Sequence, residues 1–388
     1  GKAYYCYCTP EELAQRREEA LKAGKPPKYD GCCRNLTPEQ REKFEAEGRK
    51  PTIRLKMPQE GYTEVDDLIR GKVVFENSVL DDFIIVKSNG IPTYNFACVV
   101  DDSAMKITHI IRAEEHLSNT PKQIQAYLAL GYDIPKFAHV PMILAPDRSK
   151  LSKRHGATSV EEFKEQGYLA KSIINYLTLL GWSPEGTEEI FEIDKAIKEF
   201  TLDRVNKTAA VYDVKKLTWI NGHYMRELDV DFVTKETLPL MIKKGLVTEE
   251  EAEEKFEYIK QIIEISRDRA KTLDELADTI AFFFKDVKEY DEKGVRKHFT
   301  KENAVKLLTL GADALEKLED FTLEQTEATF RNITAELGLK AAEIIHPTRL
   351  AITGRTIGPG LFDIIVLLGR EKTVERMRKA VKWIETNL

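Results

Sequence analysis

The chain is 388 residues long, which is too long for one ordinary hydrophobic core, so we expect two to four domains. Its composition is that of a globular protein, with 42% hydrophobic and 32% charged residues and no apolar run near the roughly 20 residues that a membrane span needs. A formal net charge of -6 excludes a surface that is positive throughout, but it leaves local patches for nucleic acid open.

Two short, charged helices are predicted near the start of the chain. Residues 9–25 offer Thr9 as a helix cap, Pro10 for the first turn and Gly24 as a helix end. Residues 37–51 repeat the same order of start and stop signals.

Strands are predicted next. The segments PTIRLKMP, GKVVFENSV and DDFIIVKSNGIPTYNFACVVDD are rich in β-branched and aromatic residues, with SNG as a turn. Residues 107–131 then change from a buried strand to a helix that starts at Thr120 and Pro121, and HVPMIL forms a further strand. Strand, polar loop and helix in this order make an α/β unit, whose functional groups should lie past the carboxyl ends of the strands.

From about Val160 onwards the strand signals vanish, and apolar residues recur with a helical period. The predicted fold class is therefore α/β followed by all-α. Changes of pattern divide the chain into four predicted regions, which are residues 1–80, 81–157, 158–230 and 231–388.

The loop DRSKLSKRHGATS, directly after HVPMIL, is a candidate phosphate-binding loop. It places Lys150, Ser152, Lys153 and Arg154 before Gly156, which permits close backbone approach. Three cations and a hydroxyl suit a triphosphate, because positive charge lowers the barrier where phosphate charge develops. On charge alone a solvated basic loop is the better interpretation, but the neighbouring segments IPTYNFACVVDD and HIIRAEEH supply two more predicted strand ends with polar groups.

With these neighbours the sequence closely resembles the glutamyl-tRNA synthetases of bacterial type, which are class I aminoacyl-tRNA synthetases. The motifs PTYNFA, VVDD, THIIRAEEHLSNTPKQ, HVPMI and KLSKRHGA occur in the family's order and spacing, and the likeness runs to the end of the chain. The resemblance implies ATP- and magnesium-dependent activation of L-glutamate to glutamyl-adenylate, and its transfer to the 3' end of tRNA(Glu). We expect a cytoplasmic monomer without membrane contact.

The resemblance also implies a role for each region. Residues 1–80 would be an acceptor-binding insertion, and residues 81–157 the second half of a Rossmann-like catalytic domain. Residues 158–230 would contact the tRNA stem, and residues 231–388 would form an all-helical anticodon-binding region. That helical ending disfavours a glutaminyl enzyme, whose anticodon part is typically a β-barrel, and the short glutamyl-queuosine relatives that lack such a tail.

In the family the basic loop corresponds to the motif KMSKS, with Leu151 at the Met position and Arg154 at the last. The resemblance implies that Lys153 stabilises the pyrophosphate-bearing transition state, with Lys150 and Ser152 as further catalytic residues. The implied ATP-binding residues are Glu115, His116, Lys150, Leu151, Lys153 and Arg154. For the segment RAEEH, a capped helix start with ordinary surface acids is the alternative interpretation.

Two further residues match the positions that bind glutamate in the family, Tyr94 and Arg112. Arg112 would pair with the side-chain carboxylate of the substrate. A planar guanidinium binds a carboxylate through two parallel hydrogen bonds and would leave neutral glutamine poorly bound.

The cysteines predict a second kind of site. Four of the five cysteines lie in the first 33 residues, and in a large cytosolic chain that clustering favours metal or chance over disulfides. The resemblance implies a structural zinc site in some members of the family, at the spacing of Cys6, Cys8, Tyr29 and Cys33. A phenol is a rare ligand, so Cys32 or Asp30 can take its place, and free thiols on a surface insertion are the alternative.

Arg269 matches the position at which glutamate-specific members carry an arginine beside the third anticodon base. A guanidinium can present a fork of donors to a base edge, although a helix-surface arginine is a strong competing interpretation. We expect strict specificity for tRNA(Glu), with an enzyme that charges both tRNA(Glu) and tRNA(Gln) as the alternative.

The two-histidine motif HIGH, which the family carries on its first strand-to-helix turn, does not occur in the sequence. The resemblance therefore implies that the chain begins after the first half of the nucleotide-binding fold. We expect the 388 residues alone to be inactive, and a non-catalytic tRNA-binding fragment is the rival hypothesis.

Overall fold

The computed structural model describes residues 1–24, 28–152 and 159–388, which form two compact units. The first unit comprises Gly1–Leu151 and Thr178–Tyr212, and the second comprises Ser152–Leu177 and Asp213–Leu388. The first is mixed α/β and the second is helical, so the predicted fold class is confirmed. Within the described ranges, no helix combines the length and the apolar character required to cross a membrane.

The strands of the described residues all lie in the first unit and form three sheets. In chain order they are β1 Ala3–Cys6, β2 Thr52–Leu55, β3 Tyr62–Asp67, β4 Gly71–Glu76, β5 Ile84–Val86, β6 His109–Ala113, β7 Lys136–Val140, β8 Ile143–Leu144 and β9 Ala210–Val211. The sheets have the orders β1-β2-β5, β4-β3-β7-β6 and β8-β9. Strands β3, β7 and β6 run parallel, whereas β4 returns antiparallel beside β3.

The helices of the first part of the chain connect and cover these sheets. They are α1 Pro10–Lys22, α2 Pro38–Ala46, α3 Tyr94–Ala104 and α4 Thr120–Leu130. The cap predictions for the first two helices are confirmed, because Thr9 and Thr37 each accept a hydrogen bond from the third helical amide, with a proline in the first turn. Gly24 follows α1 with φ of 64°.

The strand prediction for the segment YNFACVVDD is wrong, since α3 occupies it. The β-branched Val99 and Val100 suggested a strand, but Val99 is fully buried in the core that α3 shares with α4 and the sheets. Strand β3 was not predicted at all, and β9 is a short strand in a segment where strand signals had vanished.

One hydrophobic core joins the two larger sheets to α3 and α4. Its buried members include Leu55, Val65, Ile85, Val99, Ile124, Tyr127 and Phe137. This core fixes the three parallel strands, so their carboxyl ends present side chains at one edge of the sheet in a defined register.

The other α-helices of the described residues follow Ser152 in the chain. They are α5 Val160–Glu165, α6 Ala170–Gly181, α7 Ile193–Glu199, α8 Val214–Glu227, α9 Val230–Lys243, α10 Glu249–Glu254, α11 Phe256–Ser266, α12 Leu273–Ile280, α13 Glu292–Gly294, α14 Ala304–Lys317, α15 Leu323–Glu336, α16 Ala342–Thr353, α17 Leu361–Leu368 and α18 Arg370–Asn387. A π-helical turn, Val295–Phe299, follows α13.

Two close contacts hold the segment that precedes α12 in the second unit. Gly167 adopts φ of 77°, and its carbonyl accepts a hydrogen bond from the Leu273 amide at 2.9 Å. The side chain of Asn221 accepts from the Leu169 amide at 2.8 Å and donates to the Lys271 carbonyl at 2.7 Å. Arg269 ends a short turn, Arg267–Arg269, and these hydrogen bonds hold the residues that follow it in place.

Candidate functional site

The carboxyl edge of the parallel strands places the predicted substrate-binding arginine in a polar network. Arg112, near the end of β6, donates from Nε to Nε2 of His139 at 3.2 Å. Its Nη2 donates to Oγ1 of Thr120 at 3.0 Å and to Oε1 of Gln123 at 2.7 Å. Among the described residues, none accepts a hydrogen bond from Nη1 of Arg112. That end of the fork is therefore available to a ligand.

The predicted residue Tyr94 begins α3 and lies next to His116. Their ring centroids are 6.0 Å apart, and the Tyr94 side chain is exposed. Gln123 links this helix to Arg112, because its Nε2 donates to Oδ1 of Asn95 at 3.0 Å. The structure thus brings Tyr94, Arg112 and His116 to one region of the first unit.

The start of the basic loop reaches the same region. Lys150 forms an ion pair with Glu115 at 2.6 Å from Nζ to Oε2, and this contact holds the pKa of Glu115 below its ordinary value. A tight turn precedes Lys150, in which Arg148 has φ of 62° and the Ala145 amide donates to the Ser149 carbonyl at 2.8 Å. Leu151 continues the contact, since its amide donates to the Ile143 carbonyl at 3.4 Å.

The described part of the loop ends at Ser152, which is exposed. The predictions for Lys153 and Arg154 lie outside the described residues. The roles assigned to both therefore stay predictions.

Several residues of this edge were missed at the level of sequence, above all His139 and Asp67. Nδ1 of His139 lies 2.6 Å from Oδ2 of Asp67, and both side chains are fully buried. Glu114, beside the predicted Glu115, accepts from the Met142 amide at 3.0 Å and pairs with Arg70. The sequence signal for this pair is a histidine inside an apolar strand, but the segment HVPMIL by itself indicates only a strand.

The cysteines cluster as predicted, in a module of β1 and the loop after α1. The sulfur atoms of Cys6, Cys8 and Cys33 all lie within 4.8 Å of one another. Tyr29 Oη is 3.4 Å from Cys6 Sγ, and Cys32 Sγ is 3.2 Å from Cys8 Sγ. Three thiols and a fourth polar atom at these separations fit the donor set of a tetrahedral zinc site.

The alternative ligand Asp30 is otherwise engaged. Its Oδ2 pairs with Arg16 at 2.6 Å, and its Oδ1 accepts from the Cys32 amide at 3.1 Å. Tyr29 and Cys32 therefore remain as the competing fourth ligands, the first within the cluster and the second exposed.

Arg269 lies in a separate place, at a cavity of the second unit with a volume of about 270 Å³. The other residues that line this cavity are Thr279, Asp291, Arg355, Thr356, Ile357 and Gly358. In the described part of the chain, the guanidinium of Arg269 has no hydrogen bond and no ion pair. Burial, together with the charge of Arg269, lowers the pKa of Arg349, whose Nη1 donates to the Pro359 carbonyl at 2.6 Å.

The cavity thus combines an unengaged guanidinium with Ile357, which is 78% exposed. Donors beside an exposed apolar surface suit the edge and face of an unstacked base.

Comparison with known proteins identifies both parts of the chain. Residues 1–219 match the family model "tRNA synthetases class I (E and Q), catalytic domain", and residues 233–381 match the model "Anticodon binding domain". The class that fold and site define is thus a class I aminoacyl-tRNA synthetase.

Curated relatives narrow this class. The chain is 58% identical to "Glutamate--tRNA ligase" of Moorella thermoacetica and to "Glutamate--tRNA ligase 1" of Caldanaerobacter subterraneus, over all of its length and 79% and 80% of theirs. A crystal structure of a glutamate tRNA ligase from Elizabethkingia meningosepticum, in complex with its amino acid, superposes with a TM-score of 0.86. It is 32% identical, and the match covers 98% of this chain and 79% of that one. The chain belongs to the glutamate–tRNA ligase family.

Proposed function

We propose that the edge formed by β6, β7 and Lys150 activates L-glutamate with ATP, and that the product is transferred to tRNA(Glu). The observation that carries this assignment is the environment of Arg112. Its hydrogen-bond acceptors are the neutral groups of His139, Thr120 and Gln123, so its charge is left for an acidic substrate. A charged, oriented guanidinium binds a carboxylate far better than an amide.

The reaction proceeds in two steps without a protein nucleophile. A carboxylate oxygen of glutamate attacks the α-phosphorus of ATP, the bond to the β-phosphate breaks, and pyrophosphate leaves. A hydroxyl of the terminal ribose of tRNA then attacks the acyl carbon, and AMP leaves. Catalysis is positioning and electrostatic stabilisation, with Lys150 contributing positive charge and Tyr94 and Arg112 holding glutamate. Magnesium accompanies ATP and offsets phosphate charge.

Isotope exchange between pyrophosphate and ATP tests this function. With tRNA(Glu) present, we expect exchange that depends on glutamate and is at least about 100-fold weaker with glutamine. Equal exchange with both amino acids would refute the assignment of Arg112.

The four predicted regions are proposed to serve this reaction in the order acceptor end, catalysis, stem and anticodon. Support for the last comes from the cavity at Arg269 in the region 231–388. We further propose that the protein acts in the cytoplasm, because its tRNA substrate is used where translation takes place. We also propose that it acts as a monomer.

Arg269→Ala is expected to lower kcat/KM for tRNA(Glu) by about 10- to 100-fold, because a good arginine contact with a base contributes about 1–3 kcal/mol. The KM for glutamate should stay unchanged. Aminoacylation kinetics with purified tRNA(Glu) and tRNA(Gln) measure the effect, and the ratio between the two tRNAs should fall. Arg378→Ala is the matched control, because that arginine is held by Glu316 and Asp313 and does not line the cavity. An equal loss in both variants would contradict the assignment.

Zinc is proposed for the cysteine module, where Cys6, Cys8 and Cys33 would hold it and its contribution would be to stability alone. Arg34, directly after Cys33, fixes the loop, since its Nη1 donates to Asp82 at 2.6 Å. Cys33→Ser should remove bound zinc and lower the free energy of unfolding of the module by about 4 kcal/mol or more. Metal analysis and thermal denaturation measure both effects.

Cys98→Ser is the control for the zinc experiment, because Cys98 lies on α3 outside the cluster. Tyr29→Phe and Cys32→Ser then separate the competing fourth ligands, since only the true ligand should weaken zinc retention. Unchanged zinc content in Cys33→Ser would refute the site.

A further inference from the structure

Asp67 and His139 form a fully buried pair, and His139 also contacts the guanidinium of Arg112. Asp67 ends β3 and His139 lies in β7, one strand further along the sheet. The backbone register of the parallel strands sets Arg112 of β6 opposite His139. Three neighbouring strands thus contribute the carboxylate, the imidazole and the guanidinium in a row.

The partners fix the tautomer of His139. The Nε of an arginine only donates, so Nε2 of His139, at 3.2 Å, must be the unprotonated acceptor. Nδ1 therefore carries the proton and donates to Oδ2 of Asp67 at 2.6 Å. Burial, reinforced by the charge of Arg112, lowers the pKa of His139 against the opposing effect of Asp67, which agrees with a neutral ring.

Asp67 is itself held in place and kept ionised. Burial opposes its charge, but hydrogen bonds from the amides of Arg70, His139 and Ile69 and from the His139 ring hold the pKa of Asp67 below its ordinary value. The carboxylate is thus separated from Arg112 by one imidazole ring. Direct contact would neutralise the guanidinium, whereas the intervening neutral ring orients it and leaves its charge available.

We propose that the Asp67–His139 pair is a positioning device for substrate selection, which aims Arg112 at the substrate side chain and preserves its charge. This inference rests on the proposed role of Arg112 in glutamate binding. It assigns His139 and Asp67 no contact with the substrate. The prediction that separates it from a space-filling role is a higher KM for glutamate, without a matching rise in the KM for ATP, when the acceptor on residue 139 is lost.

Three substitutions of His139 test this proposal. A glutamine side chain can place an acceptor near the position of Nε2, whereas asparagine replaces only the Nδ1 donor and phenylalanine replaces neither. We expect His139→Gln to keep the KM for glutamate within about 3-fold of the original value, and His139→Asn and His139→Phe to raise it about 10- to 100-fold. The KM for ATP should change by less than about 2-fold in all three, because ATP does not depend on this acceptor.

Gln123→Glu is an independent variant of nearly the same shape at another acceptor. It sets a carboxylate against Nη2 of Arg112, where the Gln123 oxygen lies at 2.7 Å. We expect the ratio of kcat/KM for glutamate over glutamine to fall by about 10-fold or more, because the added carboxylate offsets the charge of Arg112. This variant tests the second part of the proposal, that the charge of Arg112 must stay unopposed, even if the His139 variants fail to fold.

The outcomes distinguish this inference from the proposed function. If Arg112→Gln leaves glutamate kinetics unchanged, the proposed function fails and the inference with it. If Arg112→Gln is defective but the His139 variants match the original protein, or raise the KM values for glutamate and ATP alike, only the positioning device is overturned. An unchanged glutamate-to-glutamine ratio in a folded Gln123→Glu variant also overturns it.

Discussion

Arg112→Gln is expected to lower kcat/KM for glutamate by about 100- to 1,000-fold, because truncating one partner of a desolvated charge pair costs roughly 2–5 kcal/mol. The glutamine amide keeps polar character at this position but loses both the charge and the fork of donors. The loss should appear mainly in the KM for glutamate. Pyrophosphate exchange in the presence of tRNA(Glu), measured against glutamate concentration, reports it.

Arg112→Lys is the informative companion to this variant. A lysine retains the charge, yet a single ammonium cannot donate along the geometry that the acceptors of His139, Thr120 and Gln123 define. We expect an intermediate defect that also leaves the KM for ATP unchanged. If both variants kept normal glutamate kinetics, Arg112 could not be the residue that recognises the substrate carboxylate.

The sequence predicted the exposed half of this site better than the buried half. Tyr94, Arg112 and Lys150 were identified from motifs, and the structure places them on elements at one edge of the first unit. His139 and Asp67 were missed, because a single histidine in an apolar strand usually indicates a satisfied core residue. Only the register between β6 and β7 shows that this histidine faces Arg112.

The prediction of secondary structure was wrong where burial outweighed the local strand preference of the residues. The segment that contains α3 carries valines that favour strands, but its Val99 is buried on a helix face that packs with Ile124 of α4. Short strands such as β9 have too few residues for a period to be recognised. Caps were predicted well, since a threonine followed by proline is a local signal that needs no tertiary context.

The cysteine module also separates what the sequence predicts from what only the structure shows. The family resemblance implied a site at Cys6, Cys8 and Cys33, and the sulfur atoms of these three residues lie within 4.8 Å of one another. The fourth ligand could not be chosen, because Tyr29 and Cys32 are close in sequence and both reach the cluster. Only metal binding by substituted proteins separates them.

The contact between Lys150 and Glu115 was not predicted, and it gives the basic loop a specific arrangement. Both residues follow predicted strand ends, yet sequence alone assigned each separately to ATP. The carboxylate of Glu115 lies 2.6 Å from the ammonium of Lys150. Phosphate must therefore compete with Glu115 for this cation. An exposed pair of this kind is weak, so the competition should cost only a few-fold in affinity.

Lys150→Ala and Glu115→Gln should consequently change the kinetics in opposite directions. Removing the lysine is expected to lower kcat for glutamate activation by about 100-fold. Loss of one electrostatic contact to the charge that develops in the transition state typically lowers kcat by about 10²- to 10³-fold. Removing the carboxylate charge frees Lys150, so the KM for ATP should fall by about 2- to 5-fold.

Pyrophosphate exchange at varied ATP concentration measures both parameters, and Lys150→Arg serves as the matched control that keeps the charge. Raised salt should narrow the difference between Glu115→Gln and the original protein, because the ion pair is exposed and screened. If Glu115→Gln lost kcat as severely as Lys150→Ala, the carboxylate would be a required part of the catalytic loop. The pair would then act as one unit in the transition state.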